Sequence, residues 1–280
     1  MARNNYLTSP EITEYTIEGG IGKVNRTFLA VLLMGILAGL YIALGAIASS
    51  TAAHNISNVG LTKLVTGAVF PVGLMFVVLN GADLFTGNCL IVMAVYEKKV
   101  TAYEFLKNLS IVLLGNFIGA VFMAFLQAYS GLFTMSDGAF AYYVFKTAHG
   151  KVTLPFFEAL ILGIICNIFV CAGIVMVYSA KDTAGKILAG FFSIFAFAIS
   201  ASEHIVANMY YVPTAIFAKY QPHLVDMAIE AGYYADKLAD ITWKNFLLNN
   251  ALPVGIGNII GGVIIGTLYY LIHKVYTKPY

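Results

Sequence analysis

Apolar residues dominate four long stretches of the chain, at about 27–49, 105–129, 155–178 and 251–273. A helix crossing the hydrocarbon core of a bilayer takes about 20 such residues, so each stretch predicts one membrane-spanning helix. Two more apolar stretches, about 62–97 and 186–218, are interrupted. The first contains Pro71, Gly81, Asp83, Thr86 and Gly87; the second contains Ser200, Ser202, Glu203, His204 and Pro213. Each is too long for one crossing and too short for two joined by a loop. Each therefore predicts one crossing made of two half-helices that meet at a polar break. The expected fold class is all-α integral membrane: six transmembrane helices, with helices 2 and 5 broken.

The pattern repeats. Gly115-Asn116-Phe117-Ile118-Gly119-Ala120-Val121 matches Gly257-Asn258-Ile259-Ile260-Gly261-Gly262-Val263. Gly35, Gly39, Ile42 and Gly45 match Gly163, Asn167, Val170 and Gly173, and Asp83 with Asn88 matches Glu203 with Asn208. Three matches in the same order give two repeats, about 27–129 and 155–273. Three crossings per repeat is an odd number, so the halves must be inverted. Inverted repeats with broken helices place a permeation site near the midplane, at the breaks. The paired glycines are read as close helix packing, since small residues four apart let membrane helices approach.

Composition agrees with this picture. Sixty per cent of the 280 residues are apolar and only 11% are charged, against about 25% charged in soluble domains. A soluble globular protein and a disordered one are excluded. A net charge of +2 leaves no nucleic-acid footprint. Cys89, Cys166 and Cys171 lie in apolar stretches without metal-ligand or disulfide spacing. The first 26 residues carry Glu11, Glu14 and Glu18 and no apolar core, so a cleavable signal peptide is not expected. The organisation expected is an N-terminal segment 1–26, one transmembrane domain 27–273 and a tail 274–280. Six crossings put both termini on one side. That side receives ten Lys and Arg, including Lys23, Arg26, Lys98, Lys99 and Lys274, and the other receives six, including Lys63, Lys146 and Lys151. The richer side, with both termini, is expected to be cytoplasmic. Glu11, Glu14 and Glu18 are spaced for a surface helix at the cytoplasmic mouth, the alternative being a loose terminus.

Ionisable groups inside a bilayer need a partner or a job. Asp83 and Glu203 occupy equivalent breaks. The favoured reading is that their carboxylates accept hydrogen bonds from backbone N–H groups where a helix restarts, because an acidic pore lining repels anions; ion coordination is the other. His204 is either a proton exchanger, given an ordinary pKa near 6.5, or a satisfied core histidine. Thr86 either donates to an anion or bonds back to its own helix. Lys151, alone, reads as a solvated or snorkelling lysine. Tyr142, Tyr143, Tyr210, Tyr211, Tyr269 and Tyr270 read as an interfacial belt.

Gly81-Ala82-Asp83-Leu84-Phe85-Thr86-Gly87-Asn88 and Glu203-His204-Ile205-Val206-Ala207-Asn208-Met209, followed by Pro213, resemble the two signature segments of the formate/nitrite transporter family. The resemblance continues through Lys151, Glu158, Asn167 and Gly257-Asn258, and covers nearly all of 27–273. It implies an aquaporin-like protomer and a homopentamer in the cytoplasmic membrane of a bacterium, each protomer with its own pore. It implies that Thr86 and His204 form the central polar pair, that Lys151 supplies positive potential on the extracytoplasmic side, and that Asn167 makes a polar contact behind the pore. Phe70, Leu74, Leu84 and Phe197 would form two apolar constrictions flanking His204. The overall run looks most like the hydrosulfide branch of that family.

The expected function is a channel or transporter for small monovalent anions of weak acids. Hydrosulfide is the first choice, with formate and nitrite also permeant; formate or nitrite as main substrate, or a proton-coupled anion symporter, are the alternatives. No cofactor or metal is expected. A neutral-solute channel lacks its paired Asn-Pro-Ala motifs here, and neither a nucleophile–base pair nor a phosphate loop suggests an enzyme.

Overall fold

The computed structural model describes residues 5–277. Arg3 and Lys278, both counted in the charge bias, lie outside the described residues, as do the ends of the N-terminal segment and of the tail. The chain is helical throughout. Among the described residues the β-structure is one isolated bridge between Tyr6 and Ala180.

Eleven helices carry the architecture: α1 Ser9–Val24, α2 Phe28–Ala53, α3 Val59–Asn80, α4 Phe85–Tyr96, α5 Ala102–Ala128, α6 Ala139–Val152, α7 Phe156–Ser179, α8 Thr183–Ile199, α9 Ile205–Lys219, α10 Pro222–Glu230 and α11 Trp243–Tyr276. Five of them, α2, α3, α5, α7 and α11, are long and apolar enough to cross a membrane; α4 and α8 are apolar but shorter. Their starts follow local chemistry. Thr27, Asn58, Thr101, Asp182 and Thr242 cap α2, α3, α5, α8 and α11 by accepting from a backbone N–H three residues on. The Thr242 cap and a π-type turn over Phe246–Ala251 start α11 earlier than the hydrophobic run at 251 suggests.

The two interrupted stretches are each divided by a break. After Asn80 the chain turns left-handed at Gly81 (φ 74°), and α4 begins at Phe85. After Ile199 it turns left-handed at Ala201 (φ 57°), and α9 begins at Ile205.

The paired glycines pack helices. A Cβ on Gly119 would strike the carbonyl of Ile36, and one on Gly39 the carbonyl of Asn116, locking α2 to α5. In the second half, Gly257 and Gly261 meet the carbonyls of Leu160 and Ile164 in the same way, locking α7 to α11.

Helix α1 is not a loose terminus. A Thr8/Glu11 capping box and Pro10 start it, and Ile12, Thr16, Ile17 and Gly20 are buried. Glu18 pairs with Lys99, and Glu14 with Lys274. Thr8 donates its N–H and hydroxyl to Glu11, which holds that carboxyl below its ordinary range. The connection after α9 holds α10, which the hydrophobic pattern does not mark.

Candidate functional site

Each break is held open by one asparagine. Asn116 on α5 accepts from the N–H of Phe85 (2.9 Å) and donates to the carbonyls of Gly35 (2.8 Å) and Asp83 (3.0 Å). Asn258 on α11 accepts from the N–H of Ile205 (3.0 Å) and donates to the carbonyls of Gly163 (2.8 Å) and Glu203 (3.0 Å). The N–H groups of Asp83 and Glu203 complete the set by donating to Met34 and Leu162. A buried break leaves backbone groups that must be paired. One carboxamide per half pairs two of them and ties the break to the neighbouring helix through the carbonyl of Gly35 or Gly163.

This corrects the reading of Asp83 and Glu203 as helix caps. The asparagines pair the N–H of Phe85 and Ile205 at the restarts, and both carboxylates form ion pairs. Asp83 binds Lys23 (3.1 Å) and Arg26 (2.6 Å). Glu203 binds Lys151 through both oxygens (2.9 and 3.1 Å). The sequence signal for Asn116 and Asn258 lies in the matched Gly-Asn segments, where the glycines alone suggest a role.

The pairing extends outward. Lys23 donates to Asn88, and Asn88 to Asn108, which donates back to the Lys23 carbonyl. On the other side Asn208 donates to Glu203 and to Asn250, and Asn250 to the Lys151 carbonyl. Lys23 lies near the end of α1 and Lys151 near the end of α6. The matched bonds thus reach back beyond 27 and 155, to one short helix preceding each half. Lys151 is no free snorkelling lysine: its ammonium is tied to Glu203 and lies 5.4 Å from the centre of the Tyr211 ring.

Between the breaks, Thr86 and His204 meet. The Thr86 hydroxyl lies 3.0 Å from His204 Nε2, and the His204 Nδ1 accepts from the N–H of Ala207 at 3.2 Å. A backbone N–H can only donate, so Nδ1 carries no proton in this arrangement. Nε2 of the neutral ring then holds the proton and donates it to Thr86 Oγ1. The Thr86 hydroxyl hydrogen remains available for a third partner. Thr86 does not bond back to its own helix by its side chain. Its carbonyl accepts from Asn167 Nδ2 (3.2 Å) and Cys171 Sγ (3.4 Å), and Asn167 also donates to Asn258. Asn167 thus stands behind Thr86.

A cavity of about 850 Å³ descends from the Lys151 side to His204. Phe70 and Phe197 line it beside His204, their ring centres 6.0 Å apart, with Phe197 edge-on to His204 at 5.8 Å. Leu74 and Leu84 are buried in the core; Leu84 directly precedes α4 as His204 precedes α9. Tyr142, Tyr143 and Tyr211 line the cavity, and Tyr210 is buried and donates to Gln127, so these four tyrosines are not an interfacial belt. Glu158 is exposed in the first turn of α7, away from the cavity lining. Among the described residues no cluster of three or more His, Cys, Asp or Glu is placed to hold a metal.

The formate/nitrite transporter family profile matches residues 10–272. The chain belongs to this family. Family membership and the apolar helices make it a multi-pass membrane protein of a transporter and channel family. It is 35% identical over 94% of its length to a formate channel of Bacillus thuringiensis, covering 95% of that protein. It is 35% identical to the formate channel FocA of Haemophilus influenzae, with 92% and 91% of the two chains covered. Among solved structures, it matches a pentameric formate channel with formate bound at a TM-score of 0.78 and 30% identity, over 88% of this chain and 97% of that one. An ion channel of the same family matches at 0.80 and 26% identity, over 94% and 98%. Both curated relatives are named for formate, and neither for hydrosulfide.

Proposed function

We propose that the protein is a homopentameric channel passing small monovalent anions of weak acids through each protomer, with formate as the main substrate. The Thr86–His204 pair carries this reading. Among the described residues it is the one side-chain hydrogen bond that joins the two breaks, and it lies at the foot of a cavity behind two phenylalanines. Relatives of this length and similarity named as formate channels favour formate over the hydrosulfide expected from the sequence. Nitrite and hydrosulfide share formate's small size and single charge and are secondary substrates.

The chain crosses the membrane six times as two inverted halves, with the broken second and fifth crossings meeting at the midplane. The Lys23 side is cytoplasmic by its excess of basic residues, which makes the Lys151 cavity the outer vestibule. A bare anion crosses an apolar slit at high cost and a neutral acid at much lower cost. Desolvation favours the protonated form of a carboxylic acid. An anion entering the Phe70–Phe197 slit therefore gains basicity as it loses water. The free Thr86 hydroxyl hydrogen donates to it there, while His204 fixes that hydroxyl's orientation. Phe70 and Phe197 on one side and Leu74 and Leu84 on the other exclude water and larger solutes.

The test is flux in proteoliposomes for formate, nitrite, hydrosulfide and chloride at two pH values. Formate flux well above the other weak acids, and none for chloride, supports the reading. Hydrosulfide above formate reassigns the substrate, and chloride equal to formate overturns selection for weak acids.

A further inference from the structure

The outer vestibule needs a positive charge to hold an anion, and Lys151 is poorly placed to be that charge alone. Both oxygens of Glu203 bind its ammonium, and the two side chains are only 16% and 8% exposed. To an anion in the cavity, such a pair is close to a neutral dipole. At the opposite mouth the charge does not cancel: Asp83 carries two cations, Lys23 and Arg26. The second cation of the vestibule comes from another helix. Lys63, in the second turn of α3, lines the same cavity between Thr62 and Thr66 and is half-buried in its wall. Among the described residues it makes no ion pair, yet it lies near enough to feel the charges of both Lys151 and Glu203. Lys146 also lines the cavity, but it is exposed and its ammonium sits 5.5 Å from the centre of the Tyr142 ring.

We infer that Lys63 is the anion-capturing residue of the outer vestibule, and that the Lys151–Glu203 pair serves mainly to anchor the second break. The inference rests on the reading of the protein as a channel for weak-acid anions. Lys63 beside the Lys151–Glu203 pair gives the cavity wall two cations to one carboxylate, as around Asp83, with the exposed Lys146 a third cation of the lining. A cleft lined by one sign of charge raises the local concentration of the opposite ion and speeds its capture. The effect belongs to capture at low substrate and is screened by salt.

The test measures formate flux in proteoliposomes at low formate, in low and in high salt, for wild type, Lys63→Gln, Lys63→Arg and Lys63→Cys. One unit charge some 4 Å from an ion in water is worth about a fivefold factor. Lys63→Gln is expected to lower flux about fivefold in low salt and to approach wild type in about 1 M salt; Lys63→Arg stays near wild type. The Lys63→Cys protein guards against a folding defect, because charge is changed after assembly. A cationic thiosulfonate reagent is expected to raise its flux and an anionic one to lower it further, while wild type, whose three cysteines are buried, responds to neither. Wild-type flux from Lys63→Gln in low salt, or equal flux after both reagents, overturns the inference and leaves the channel reading intact. A wild-type protein that passes no weak-acid anion at all removes both.

Discussion

The break at Gly81–Asn88 and the break at Ala201–Asn208 are built alike and equipped differently. Each begins with a left-handed residue, continues with a carboxylate in an ion pair, restarts a helix whose first N–H is held by an asparagine, and ends with an asparagine tied to the same network. They differ at the residue that precedes the restart. Leu84 stands there in the first break and His204 in the second; two residues further on, Thr86 in the first corresponds to Val206 in the second. A duplicated scaffold thus presents one apolar and one titratable side chain at equivalent positions. Duplication supplies the geometry, and the difference supplies the chemistry: a single donor pair, Nε2–H to Thr86.

The comparison breaks most severely if the asparagines are removed. Asn116→Leu and Asn258→Leu each leave two buried backbone groups of a break unpaired, the carbonyl of Asp83 or Glu203 and the N–H of Phe85 or Ile205. At about 1–3 kcal/mol for each unsatisfied group, either substitution is expected to destabilise the protein by about 2 kcal/mol or more and to abolish flux. Thermal unfolding in detergent checks this, and the two variants should fail to a similar degree. A mild phenotype in one of them would mean that the halves are not held in the same way.

A smaller effect separates the ion pairs. Asp83→Asn leaves Lys23 and Arg26, both bound to the carboxylate, to repel each other, whereas Glu203→Gln unpairs only Lys151, Lys63 making no ion pair with Glu203. Both clusters are partly hydrated, which reduces the cost of losing a partner. Asp83→Asn is expected to be the more damaging by about 1 kcal/mol, read as the difference between the two variants' unfolding free energies. Equal losses would show that the second cation at the Asp83 mouth is already compensated by water.

The left-handed residues sharpen the comparison further. Ala201 occupies a backbone region that disfavours a Cβ, while Gly81 does so freely. Ala201→Gly is expected to stabilise by about 1 kcal/mol and Gly81→Ala to destabilise by about as much, both read from thermal unfolding in detergent. The smallest effect lies at α1. Thr8 holds the Glu11 carboxyl below its ordinary range. A lowered folded value contributes stability above the unfolded value and loses it as pH falls through the folded one. Protection of the first-turn amides of α1 from exchange, taken relative to the intrinsic rate at each pH, is therefore expected to hold through the ordinary carboxylate range and to fall only in more acid solution. Thr8→Val shifts that loss of protection to higher pH.

Much of this is legible in the hydrophobic pattern. The four long apolar runs, the two interruptions and the matched glycines follow from spacing alone, because helix length and close packing are written in consecutive residues. The signature segments also point to Thr86 and His204, and the wider resemblance to Asn167. The partners are not legible. Asp83 and Glu203 read as caps because a carboxylate beside a break is the nearest acceptor along the chain. Their cations, Lys23, Arg26 and Lys151, lie at or just beyond the ends of short helices far away in sequence. Asn116 and Asn258 are visible only as companions of glycines, and a side chain's three hydrogen bonds cannot be read from its own segment. Tyr210 and Tyr211 sit beside each other, yet one is sealed in the core and the other lines the cavity, a division that only the course of α9 decides.

The most direct measurement is formate flux through His204→Leu beside His204→Asn, in proteoliposomes that hold the assembled protein. Leucine makes the second break like the first and leaves the Asn258 scaffold untouched. A carboxamide can still accept from Ala207 and donate to Thr86. The account predicts that flux falls about fivefold or more in His204→Leu, the loss of the one hydrogen bond, at about 1 kcal/mol, that orients the Thr86 hydroxyl, and that His204→Asn keeps most of it. Wild-type flux through an assembled His204→Leu protein would contradict the claim that this one side chain, set in a duplicated frame, makes the pore selective.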